Sequence, residues 1–264
     1  MELYEYLTAD LDLEGKLILD AALGMGKAAR RWAEALKKSG ADGSGGDGDG
    51  VGGEIISVDK ELSKKHRRRV KSVLGDYSHN VRLKEADIFD LNFLQDGVVD
   101  IINCHDTIIF LNDRPLRLLA ALKEFKRVLK PGGKLLITSE MPPDPGEDPE
   151  AEGEWKRLTL LEALHTLTGK NFADFIHPDE LKIALELLDF SICERRIFPG
   201  ERNEDSYKLP LHESEEIVEE KIAQLPWSAE LKKALRNEMD ELCRRVEEEG
   251  YLKAPDKFVM KAEL

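Results

Sequence analysis

The chain has 264 residues, 41% of them hydrophobic, and its 39 Lys and Arg against 53 Asp and Glu leave a net charge of −14. That length and composition suffice for the core of one large domain, while no apolar stretch nears the ~20 residues of a membrane span and the N-terminus lacks the basic start of a signal peptide. A soluble, cytoplasmic protein is expected, and Cys104, Cys193 and Cys243, odd in number and far apart, argue against a disulfide framework or a C-x-x-C metal site.

In chain order, the apolar run Lys16-Leu-Ile-Leu-Asp20-Ala21, a strand over 16–21, leads into a small-residue turn containing Gly24 and Gly26, then into a helical pattern over 26–38. A strand, a tight loop and a helix in immediate succession bring backbone amides and a helix N-terminus to face a nucleotide-like ligand. A second buried strand, 54–59, ends in Asp59, a carboxylate placed to accept hydrogen bonds from ribose hydroxyls. Asp59 follows Gly26 by 33 residues instead of the usual ~20, but the 14-residue glycine and aspartate tract 40–53 accounts for the excess. That tract lacks the register of a calcium loop and reads as a flexible surface loop.

Further strands are predicted at 80–85, 98–104, 133–139, 190–198 and 256–263, and helices at 60–74, 114–130, 156–169 and 178–189. This alternation implies a doubly wound α/β fold, a mostly parallel seven-stranded sheet with helices on both faces. Two stretches fall outside the minimal pattern. An acidic proline-rich loop starts at Met141, and residues 213–249 form a charged helical insertion with Ile217, Ile222, Leu225, Leu231, Leu235, Met239 and Leu242 at helical spacing. Residues 1–140 are read as the binding core and 141–264 as completion of the sheet plus a helical cap, in one integrated domain.

Four blocks in order resemble class I S-adenosylmethionine-dependent methyltransferases: Asp20-Ala21-Ala22-Leu23-Gly24-Met25-Gly26, Ser57-Val58-Asp59, Glu85-Ala86-Asp87-Ile88-Phe89, and Arg127 through Pro131-Gly-Gly133 to Ile137. The resemblance covers roughly residues 15–140 and departs from the family at Ala22, where a glycine is usual. It implies a Rossmann-like fold and S-adenosylmethionine as cofactor. Asp20 would then hold the methionine amine side, Ala22, Gly24 and Gly26 line the loop, Asp59 and Lys60 lie at the ribose, and Asp87 with Ile88 holds the adenine. Asp87 could instead cap a following helix, and Asp20 could be a strand-end turn residue.

The acceptor side is expected where the fourth strand ends, at His105 and Asp106. An imidazole and a carboxylate there can orient an acceptor or take its proton; the alternative is a backbone-satisfied His105 and an Asp106 that caps the next helix. Residues 26–38 carry a net charge of +4 and residues 60–84 of +7, against −25 for the remainder. If helices 26–38 and 60–74 share one face, they pool these cations into a patch suited to RNA phosphates. The expected acceptor is therefore an RNA base, with a small organic molecule under a helical lid as the alternative.

Overall fold

The computed structural model describes residues 3–40, 52–111, 116–169, 174–203, 207–224 and 226–264. They divide into two compact units, one of Met1–Ser139, His177–Arg196 and Phe258–Leu264, the other of Glu140–Ile176 and Ile197–Lys257.

The first unit contains α1 (Leu3–Thr8), β1 (Leu17–Ala21), α2 (Lys27–Lys38), β2 (Glu54–Asp59), α3 (Lys64–Leu74), β3 (Val81–Glu85), β4 (Val99–His105), α4 (Arg117–Val128) and β5 (Leu129–Glu140). To these the chain later adds α6 (Pro178–Glu186), β6 (Ser191–Phe198) and β9 (Lys257–Glu263). The seven strands form one sheet in the order β3-β2-β1-β4-β5-β9-β6. β1 pairs in parallel with β2 and β4, β2 with β3, and β4 with β5. Gly132 bonds Leu264 at one end of β5 and Met141 bonds Asp256 at the other, so β9 runs against it. The doubly wound, mostly parallel sheet is thus present. Ile18, Leu19, Ile55, Ile56, Ile101 and Ile102 are nearly or wholly inaccessible, as expected for central parallel strands covered on both faces.

Ala28, Ala29, Trp32, Ala33 and Leu36 bury one face of α2. α3 begins at Lys64, later than the predicted 60, because Ser63 caps it by accepting from the His66 amide at 3.1 Å. Val70 and Leu74 are its buried residues. β5 starts at Leu129, where strand was expected only from 133, and runs through Pro131 and the left-handed Gly132. The glycine tract, at 41–51, and Leu225 lie outside the described residues.

The second unit holds α5 (Glu152–Leu167), β7 (Arg202–Asn203), α7 (Lys208–Gln224), α8 (Ala229–Glu249) and β8 (Leu252–Lys253), with β7 and β8 paired antiparallel. The insertion expected at 213–249 is two helices, separated near Pro226, and Ser228 caps the second by accepting from the Leu231 amide. Leu164, Val218, Ile222, Met239, Leu242 and Val246 form its core, and Arg245 of α8 grips Glu152 of α5 through two hydrogen bonds.

Candidate functional site

The loop 22–26 after β1 turns through three left-handed residues, Ala22 at φ 90°, Gly24 at 48° and Gly26 at 82°. Leu23 anchors it, donating its amide to the Val58 carbonyl at 2.7 Å while its own carbonyl accepts from Gly26. At Gly26 a Cβ would meet Val70 Cγ1 at 3.0 Å, so a side chain there would push α3 away from the loop. A Cβ on Gly24 would meet nothing within 4 Å, and Gly24 faces a cavity of about 340 Å³. Lys27 and Ala28 bring the first turn of α2 to the same cavity, where helical amides have no acceptor within the helix and the dipole is positive.

Asp59 reaches the cavity from the end of β2, its Oδ2 accepting from the Gly24 amide at 3.2 Å. Lys60 is not among the residues lining the cavity and pairs with Asp87 at 3.3 Å. Asp87 also accepts from the Phe89 amide at 3.1 Å, which closes a turn, and residues 87–97 contain no helix for it to cap. Asp87 and Ile88 therefore stand beyond the end of β3, beside Lys60 and outside the cavity lining.

Asp20 lies inside strand β1, not at a turn, and is wholly buried. It sits opposite Ser57 on one side and Asn103 on the other. Ser57 Oγ donates to one carboxylate oxygen at 2.7 Å and Asn103 Nδ2 to the other at 2.8 Å. Burial pushes its carboxyl up to about 6 against the pull of those two hydrogen bonds. Asp20 thus staples three strands beneath the loop and does not line the cavity.

The far wall comes from the end of β4. Asp106 is left-handed at φ 48° and donates its amide to the Thr138 carbonyl at 2.8 Å. Its Oδ2 lies 3.3 Å from His105 Nε2. Thr107 Oγ1 donates to the His105 carbonyl at 2.9 Å and also lies 3.2 Å from the Ala21 carbonyl, where the loop after β1 begins. Phe110 lines the cavity while remaining 60% exposed.

Tyr4 was not legible as a site residue. It projects from α1 into the cavity, and its ring centroid is 5.1 Å from that of His105. Its phenol is raised well above the usual range, first by burial and then by the charges of Asp106 and Asp20, with Arg31 opposing. It therefore remains a hydrogen-bond donor. In all, His105, Asp106, Ala22, Gly24 and Asp59 converge on one cavity, whereas Asp20, Gly26, Lys60, Asp87 and Ile88 border or support it.

The basic helices do pack side by side, since Arg30 of α2 donates to the Val73 carbonyl of α3 at 3.0 Å. Several of their cations are engaged within the protein, however. Arg30 and Arg31 pair with Glu34, and Arg67 bonds the Leu62 carbonyl and lies 3.9 Å from Glu85. Lys64, Lys65, Arg68, Arg69 and Lys71 are exposed without an ion pair among the described residues.

Residues 48–137 match a family model described as a methyltransferase domain. A cyclopropane-fatty-acyl-phospholipid synthase-like protein from Lactobacillus casei has the same fold, with TM-score 0.66 at 13% identity over 99% of this chain and 90% of that one. A SAM-dependent methyltransferase from Methanosarcina mazei gives TM-score 0.58 at 15% identity over 100% of this chain and 98% of that one. No curated protein matches the chain. No helix among the described residues is long and apolar enough to cross a membrane.

Proposed function

We propose that the chain, an S-adenosylmethionine-dependent methyltransferase by its domain match and its fold, methylates a small organic acceptor bearing an O–H or N–H group at the His105–Asp106 wall of the cavity. The residues present suit the cofactor: an open glycine backbone, a helix N-terminus and a carboxylate surround one cavity. Gly24, Ala22 and the first turn of α2 would hold the amino-acid portion, Asp59 the ribose, and Asp87 with Ile88 the adenine, while Asp20 fixes the loop from below. Bound there, S-adenosylmethionine supplies an electrophilic methyl group.

The observation that carries this reading is the His105–Asp106 pair at 3.3 Å, with Tyr4 packed on the imidazole. His105 takes the acceptor's proton, and the Asp106 carboxylate stabilises the imidazolium so formed. Tyr4, kept protonated, donates a hydrogen bond to an acceptor heteroatom. Exposed Phe110 offers an apolar face beside them, consistent with an organic acceptor. The three cysteines are free, which suits the reducing cytoplasm as the place of action.

The test is to supply methyl-labelled S-adenosylmethionine to the protein with a cell extract fractionated into small molecules and RNA. Label should enter the small-molecule fraction and be lost with His105→Ala. Label in RNA instead would overturn the proposal.

A second reading, methylation of an RNA base, is favoured by the exposed Lys64, Lys65, Arg68, Arg69 and Lys71 on α3. On that reading, replacing Arg68 and Arg69 by Gln lowers the logarithmic salt slope of RNA binding by roughly 1.4 to 1.8, at about 0.7 to 0.9 per phosphate contact. Arg67 would contribute less, because Leu62 and Glu85 already hold it.

A further inference from the structure

The imidazole of His66 lies between two oxygens that can only accept. Its Nε2 is 2.7 Å from the Gly24 carbonyl and its Nδ1 3.1 Å from the Glu61 carbonyl. A neutral imidazole carries one N–H and can satisfy only one of them, whereas the imidazolium donates to both. The same Gly24 donates its amide to Asp59 Oδ2 at 3.2 Å, so its two flanking peptide groups are pinned from opposite sides. Ser63 fixes the backbone of His66 in turn, by accepting its amide.

We propose that His66, in its protonated form, is a positioning residue for the cofactor: it locks the Gly24 carbonyl to the start of α3 and so holds the loop in the shape that binds S-adenosylmethionine. Left-handed Gly24 has ample freedom to rotate otherwise. The cofactor selects the locked loop, hence the charged imidazole, and binding takes up a proton where His66 is neutral in the free protein.

The charged groups around His66 agree with this assignment. Asp59 at the end of β2 favours the imidazolium and Arg69, further along α3, opposes it, while Arg67 is directed to the Leu62 carbonyl and to Glu85 of β3. The net direction is upward from the ordinary histidine value, chiefly through the Gly24 carbonyl and then the Glu61 carbonyl. A group raised in this way contributes fully at low pH and is lost as pH rises through its raised value.

The inference rests on cofactor binding and is independent of the acceptor. S-adenosylhomocysteine affinity would be measured by calorimetry between pH 5.5 and 8.5 for the wild type and for His66→Gln. Asp20 and His105 are common to both proteins, so the ratio of their affinities isolates His66. The wild type should bind more tightly at low pH, its advantage shrinking roughly tenfold per unit of the shift that binding imposes on His66. Turnover at saturating cofactor should stay level while KM for S-adenosylmethionine rises in the variant.

An NMR titration of the wild-type imidazole, with and without S-adenosylhomocysteine, decides the point even if the variant folds poorly: the His66 pKa must rise on binding. An unmoved pKa, or an affinity ratio independent of pH, would overturn the proposal. Absence of binding at every pH would instead overturn the cofactor assignment, and this inference with it.

Discussion

The carboxylate of Asp59 accepts a hydrogen bond from the amide of Gly24 at 3.2 Å, tying the end of β2 to the loop that follows β1. One residue is thus placed both to shape the loop and to receive ribose hydroxyls. Asp59→Ala should weaken S-adenosylmethionine binding by roughly 10- to 100-fold, since loss of a charged hydrogen-bonding partner costs about 1.5–3 kcal/mol. Calorimetry on the two proteins checks this, and unchanged affinity would remove Asp59 from the site.

Ala22 and Gly26 make a reciprocal pair of tests. Ala22 holds φ 90° with a side chain, a strain of about 1–2 kcal/mol, against which a glycine would cost about 0.4–1 kcal/mol in unfolded-chain entropy. Ala22→Gly should therefore stabilise the protein by about 0.5–1 kcal/mol. Gly26→Ala should destabilise it, because φ is 82° and Val70 must also give way. Denaturant midpoints of both variants are the measurement, and movement in the same direction would contradict the geometry.

Buried Asp20 makes stability depend on pH. Its folded pKa, about 6, lies above the ordinary carboxylate value of 3.8, so between these values the native state holds more protons than the unfolded chain. Stability from this group therefore falls as pH rises from about 4 to about 6. Asp20→Asn, which keeps an acceptor for Asn103, should gain on the wild type by on the order of 2–3 kcal/mol across that window. Parallel stability curves for the two proteins would show that Asp20 does not titrate as its burial implies.

Asp106→Asn tolerates the left-handed backbone yet cannot stabilise an imidazolium. Turnover should fall by roughly 10²-fold while cofactor affinity stays nearly level. Full turnover in this variant would leave Asp106 as a loop residue and transfer the proton-handling role away from the pair.

The strand, glycine loop, helix and second strand were legible because apolar runs and left-handed glycines are local signals, and the doubly wound sheet was legible in the alternation of strands and helices. The boundaries that moved also have local causes, Ser63 delaying α3 and β5 continuing through Pro131. Tyr4 was not legible, because a six-residue helix has too few turns for a periodic pattern and reaches the cavity only by packing. Asp20 looked like a ligand-facing carboxylate because its partners Ser57 and Asn103 are 37 and 83 residues away. His66 looked like one more polar residue on a basic helix for the same reason, its contact with Gly24 spanning 42 residues.

The place of β9 in the sheet also dictates an order of assembly. β9 lies between β5 and β6, yet it follows both in sequence, and among the described residues β6 has no other neighbour in the sheet. β6 cannot gain ladder hydrogen bonds until the chain has travelled on through α7 and α8 and come back. Until then β5 presents an open edge, with its row of unpaired amides and carbonyls available to any extended segment. Closing it requires a contact of high sequence separation, a slow kind of step. Removing β9 would take two strands out of the sheet.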